Sequence, residues 1–167
     1  MVVRTFLPYS KIVKKPQKQQ YADNPQTLGE HIRKKRIEAR QTQLEVSQII
    51  GVDEETVYGW ERGMYVPQVR SYPGVIAFLG YYPFMHETES IAGKLLQLRY
   101  CKGFSCKQMA LVLECDTATE RRWELKKTAV NVMAHAKIVE YWSQLLRSAK
   151  QQYRSEWAVL IFHDHRV

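Results

Sequence analysis

The chain has 167 residues, 45% of them hydrophobic, with four Trp and ten Tyr, which suits one large domain or two small ones with filled cores. Its net charge of +8 favours a polyanionic partner without requiring one. Three cysteines, Cys101, Cys106 and Cys115, make no disulfide framework. The longest apolar run, from Trp157 to Phe162, is far short of the roughly 20 residues that span a bilayer. Without a signal-peptide pattern either, a cytoplasmic protein with no membrane partner is expected.

Residues 1–26 hold Pro8, Pro16 and Pro25 among glutamines and the basic Lys11, Lys14, Lys15 and Lys18, and read as a basic flexible arm. A strand over Val2–Leu7 is only weakly signalled. The first folded unit is placed at 27–86. Thr27 with Glu30 forms a capping box, and a helix is expected from about Leu28 to Glu38, with Leu28, Ile32 and Ile37 inward and Arg33, Lys34 and Lys35 in water. Thr42 with Glu45 is a second capping box. It opens a helix that should bury Val46, Ile49 and Ile50. Gly51 suits a left-handed helix end, and Asp53 can cap a third helix carrying Val57 and Trp60 inward. Gly63 and Pro67 end that helix, and a further one covers Val75–Leu79.

A shift of 63 residues reproduces the plan. Asp53, Thr56, Trp60 and Glu61 fall on Asp116, Thr119, Trp123 and Glu124 without a gap. Ser105 with Gln108 is again a capping box. Met109, Val112 and Leu113 fall on Val46, Ile49 and Ile50, and Ile138, Val139, Tyr141 and Trp142 on Val75, Ile76, Phe78 and Leu79. An internal repeat in phase over about 50 residues specifies tandem architecture. A second, divergent unit is therefore placed at 90–146. Two departures mark it: Glu114 at the turn position of Gly51, and Glu120 at the buried position of Val57. Val132, Val139, Trp142, Leu146, Ala149 and Tyr153 form an amphipathic stripe that continues into a helical tail at 147–167. It either packs on the second unit or serves as a homodimerisation helix.

The segment from Leu28 to Arg36, then Gln43 to Val46, Gly51, Thr56 to Gly63 and Pro67, resembles the Xre/Cro-type helix-turn-helix family. The resemblance covers 27–82 strongly and 90–143 less so. It implies an all-α chain of two tandem five-helix lambda-repressor-like bundles with a C-terminal helical extension. It also implies a sequence-specific double-stranded DNA-binding protein, a transcriptional regulator whose two units sit on adjacent major grooves. On the same basis Gln43 and Arg62 match backbone-contacting positions. Glu54, Glu55, Thr56, Tyr58 and Gly59 lie along the reading helix, and Thr117, Arg121 and Arg122 match them in the second unit. Lys14 and Lys15 in the arm would meet phosphates.

The chemistry of these positions is mixed. Glu54 and Glu55 are anionic, able to accept from a cytosine amino group but also suited simply to a helix N-terminus. Arg121 and Arg122 are suited to guanine, unless they pair with Glu114 or Glu120. The acidic face of the first unit leaves an alternative: a protein-interaction module, antitoxin-like or regulator-binding. No cofactor, metal or enzymatic activity is expected. Cys101, Cys106 and Cys115 with His86 or His135 lack a CxxC pair, and His163 with His165 has no second ligand cluster.

Overall fold

The computed structural model describes residues 23–84, 87 and 89–152, with only the backbone over 149–152. Every element in the described residues is helical: α1 (Leu28–Glu38), α2 (Gln43–Ile50), α3 (Glu54–Glu61), a 3-10 turn (Val69–Ser71), α4 (Tyr72–Leu79), α5 (Ile91–Lys102), α6 (Cys106–Val112), α7 (Thr117–Glu124) and α8 (Val132–Gln152). The N-terminal arm with Lys14 and Lys15, the strand at Val2–Leu7, His86 and the tail beyond Gln152 lie outside the described residues.

Local sequence starts and stops these helices as expected. Thr27, Thr42 and Ser105 each accept from the backbone N–H three residues on, and Glu30, Glu45 and Gln108 return the bond to the cap residue. Backbone N–H donors hold the Glu30 and Glu45 carboxyls below their ordinary range, the largest contributions being Gln26, just before the cap residue, for Glu30 and the cap residue Thr42 for Glu45. Asp116 caps α7 by accepting from Thr119 N–H, whereas Asp53 stands at the cap of α3 without a side-chain bond.

Two separate cores result. Ile32, Val46, Ile50, Val57, Trp60, Val75, Phe78 and Leu79 fill the first. Leu95, Leu98, Met109, Leu113, Trp123, Ala134 and Ile138 fill the second. Most of these residues fall on one another at the 63-residue shift. Ile49, expected inside, is 50% exposed. It sits about 100° around α2 from the stripe made by Val46, Ser47 and Ile50, and eight residues offer only one inward face. Tyr141 departs from Phe78 for a similar reason. The buried stripe of α8 runs through Ala134, Ile138 and Trp142, and Tyr141 instead lines an open cleft of about 360 Å³ between α5, α6 and α8. Arg33, Lys34 and Lys35 are only partly exposed.

The turns repeat as faithfully as the helices. Gly51 (φ 80°) and Glu114 (φ 56°) are both left-handed at matching positions. Val52 N–H bonds to the Ser47 carbonyl and Cys115 N–H to the Ala110 carbonyl, each at 3.0 Å. The second unit therefore keeps the turn and accepts a Cβ in it, at a cost of roughly 1 kcal/mol, rather than reorienting α7. The units meet where α4 packs on α5. Tyr72, Phe84 and Tyr100 form a mutually contacting aromatic layer there, with ring centroids 4.6 to 4.9 Å apart. No helix among the described residues is long and apolar enough to cross a membrane.

Candidate nucleic-acid interface

In both units one ion pair fixes the third helix. Arg36 of α1 grips Glu61 at the end of α3 in a bidentate pair, Nε to Oε1 at 2.6 Å and Nη2 to Oε2 at 2.7 Å, and its Nη1 donates to the Gln41 carbonyl at 3.2 Å. Arg99 of α5 grips Glu124 of α7 in the same way, at 2.5 and 3.0 Å, with Nη1 3.4 Å from the Phe104 carbonyl. All three positions are related by 63 residues. A planar guanidinium meeting a carboxylate with two parallel bonds fixes orientation as well as distance. The clamp therefore sets how each third helix projects from its bundle. Sequence reasoning registered Glu61 and Glu124 but missed Arg36 and Arg99. The signal was present: an arginine 25 residues before each matched glutamate.

Gln43, a candidate phosphate contact, is drawn into this clamp. Its Nε2 donates to Glu61 Oε2 at 2.9 Å, so its amide steadies the carboxylate that holds Arg36.

The outer face of α3 is acidic and aromatic. Glu54, Glu55 and Tyr58 are exposed, Thr56 is half-buried, and the Arg62 guanidinium stands 5.5 Å from the centre of the Tyr58 ring. Gly59 does not face outward as an open position: it is buried beneath the Tyr65 ring, where a Cβ would come within 2.2 Å of ring carbon. The Tyr65 hydroxyl donates to the Glu55 carbonyl at 3.0 Å and pins that ring across the helix. A side chain ten residues from the carbonyl it caps left no local mark in the sequence.

The corresponding face of α7 is basic. Thr117, Ala118, Arg121 and Arg122 are all exposed, followed by the exposed Lys126 and Lys127. Arg122 stands where Gly59 stands in the first unit. The acidic partners considered for the arginines are engaged elsewhere. Glu114 pairs with Lys137 at 2.8 Å, and Glu120 is wholly buried, its ion pair being with Arg99 at 3.8 Å. Lys126 pairs with Glu87.

Beneath that face, Glu120 points inward between Cys106, Arg99 and Glu124, with no hydrogen-bond partner on either carboxylate oxygen. Burial first, then the nearby Glu124 charge, pushes its carboxyl up to about 7, while Arg99 pulls in the opposite direction. The three cysteines are free and partly buried, and burial raises each thiol above its ordinary value.

No family model matches this chain, and no curated protein or solved structure is significantly similar to it.

Proposed function

We propose that the chain is a sequence-specific double-stranded DNA-binding protein of the Xre/Cro type, a transcriptional regulator. In this reading its two tandem helix-turn-helix units follow the lambda-repressor-like five-helix plan, and the second unit is the principal reader. The observation that carries the reading is the exposed pair Arg121 and Arg122 on α7, a helix oriented by the Arg99–Glu124 clamp. With the N-terminal end of α7 in a major groove, Thr117 and Arg121 reach base edges. An arginine bidentate to guanine O6 and N7 is worth about 1–3 kcal/mol against the wrong base. Arg122 and Lys127 meet phosphates on the flank, as Lys14 and Lys15 do from the arm, adding affinity without sequence preference.

The first unit contributes less electrostatic attraction. Tyr58 offers a hydroxyl and a stacking face, Arg62 a cation, and Glu54 or Glu55 an acceptor for a cytosine amino group. Two such units on one chain address adjacent grooves about 34 Å apart and favour an asymmetric site. Selection from a randomised duplex library, followed by gel shift at fixed salt, tests the function. The expected outcome is one enriched motif bound at least about 10³-fold more tightly than random duplex. Failure to enrich any motif overturns the reading.

One observation favours a protein-binding role for the first unit. Leu44, Ile49, Met64, Tyr65 and Val66 are all 46 to 80% exposed on α2 and just beyond α3. Exposed apolar clusters mark interaction surfaces. Serine at Met64 and Val66 separates the readings. A surface reserved for a protein partner leaves duplex affinity unchanged, whereas a DNA-facing one lowers it.

A further inference from the structure

The two clamps differ in what surrounds them. In the first unit Arg36 and Glu61 are bounded by Gln43 and by the apolar Val57. In the second unit the same two positions carry Cys106 and Glu120. Both exchanges fall on residues next to the clamp, and both introduce an ionisable side chain of the kind that ligates metals. The Cys106 thiol and one oxygen each from Glu120 and Glu124 lie within 4.8 Å of one another. Glu120 is 0% exposed and neither of its oxygens has a hydrogen-bond donor. Arg99 Nε, its nearest cation at 3.8 Å, is already committed to Glu124 at 2.5 Å.

We propose that Cys106, Glu120 and Glu124 form a binding site for a divalent transition-metal ion of the zinc class. The donor set selects the metal: a thiolate with two carboxylates suits zinc, while magnesium and calcium prefer oxygen alone. The charge also balances. Three anionic ligands and the Arg99 guanidinium sum to minus two, which a divalent cation neutralises. The ion takes the place of the protons on the Cys106 thiol and the Glu120 carboxyl. Arg99 stays on Glu124 and orients it from outside the coordination sphere. Metal–ligand bonds of about 2.0–2.3 Å require only a modest contraction of the cluster. Cys106 is half-buried, which leaves an approach from solvent and room for water as a fourth ligand. The bound ion ties α6 to α7 where the first unit relies on the Gln43–Glu61 hydrogen bond. The site does not depend on the DNA-binding reading.

Cobalt(II) titration of the reduced full chain tests it, because cobalt bound by thiolate gives a near-ultraviolet charge-transfer band. One cobalt per chain is expected, with that band present and displaced by stoichiometric zinc. Cys106→Ser and Glu120→Val are each expected to weaken binding by more than about 100-fold, beyond what loss of an outer-sphere partner alone costs. Valine is the residue the first unit carries at this position, so the second variant remains folded, as circular dichroism verifies. Cys101→Ser, Cys115→Ser and His163→Ala/His165→Ala are expected to bind normally. No thiolate band in the wild-type chain overturns the proposal. So does a band that persists undiminished in Glu120→Val or in Cys106→Ser.

Discussion

Glu114 holds a φ of 56° in the turn where the first unit has Gly51. Its side chain pairs with Lys137, but the carboxylate is 74% exposed, and such pairs stabilise little. Glu114→Gly is therefore expected to stabilise the second unit by about 1 kcal/mol in denaturant unfolding, and Gly51→Ala to destabilise the first by a similar amount. His31 adds a pH dependence to the first unit. Its Nδ1 lies 2.6 Å from the Tyr81 hydroxyl, and burial, the largest influence, lowers its pKa from the usual 6.5, with Glu30 opposing and Lys34 reinforcing. The folded state thus resists protonation. This contribution to stability is present above the unfolded pKa and is lost as pH falls through the depressed folded value. Between about pH 7.5 and about pH 5 the wild type is expected to lose more thermal stability than His31→Gln. An equal loss in both would remove His31 from the account.

The helices themselves were largely legible in the sequence, because capping boxes and a 3.6-residue apolar period are local signals. α1 and the starts of α2 and α6 fall where Thr27, Thr42 and Ser105 place them. What the periodicity could not resolve was a one-position choice at the stripe's edge, which put Ile49 inside and Val139 on the packing stripe of α8 when both are exposed. Contacts between elements were less legible. Tyr65 covering Gly59 and Gln43 joining Glu61 depend on how α3 is approached from elsewhere in the chain. The clamp is the element-scale feature with the largest expected consequence. Glu61 is 3% exposed at its side chain, so Glu61→Ala strands a partly buried guanidinium and is expected to cost about 3 kcal/mol in the first unit. Glu124→Ala is expected to act likewise in the second, because it leaves Arg99 facing only the more distant Glu120. Amide hydrogen exchange across a urea series, followed in α3 and in α7, reads each unit, and unchanged protection would show that the clamp is not structural.

At the scale of the whole molecule, one scaffold appears twice with opposite outer faces. The first unit turns Glu54, Glu55, Tyr58 and Tyr65 outward, and the second turns Thr117, Arg121 and Arg122 outward. The 63-residue repeat made the duplication readable. The electrostatic contrast rests on Glu120 lying inside, as its match to Val57 implied, and on Glu114 pairing with Lys137, which leaves neither as partner to the arginines. The aromatic layer of Tyr72, Phe84 and Tyr100 joins the copies. Thermal unfolding of the wild type is expected to be a single transition, and Phe84→Ala is expected to split it into two. A single unshifted transition in that variant would show that the layer does not couple the units. The central claim is that α7 is the principal DNA reader. Fluorescence anisotropy with the selected duplex, across a salt series, measures it directly for Arg121→Glu/Arg122→Glu and for Tyr58→Ala/Arg62→Ala. The account predicts that charge reversal on α7 lowers affinity at least about 100-fold and flattens the salt dependence by about one phosphate contact, that of Arg122, with a smaller loss from the α3 variant. Affinity and salt dependence unchanged by Arg121→Glu/Arg122→Glu would contradict it.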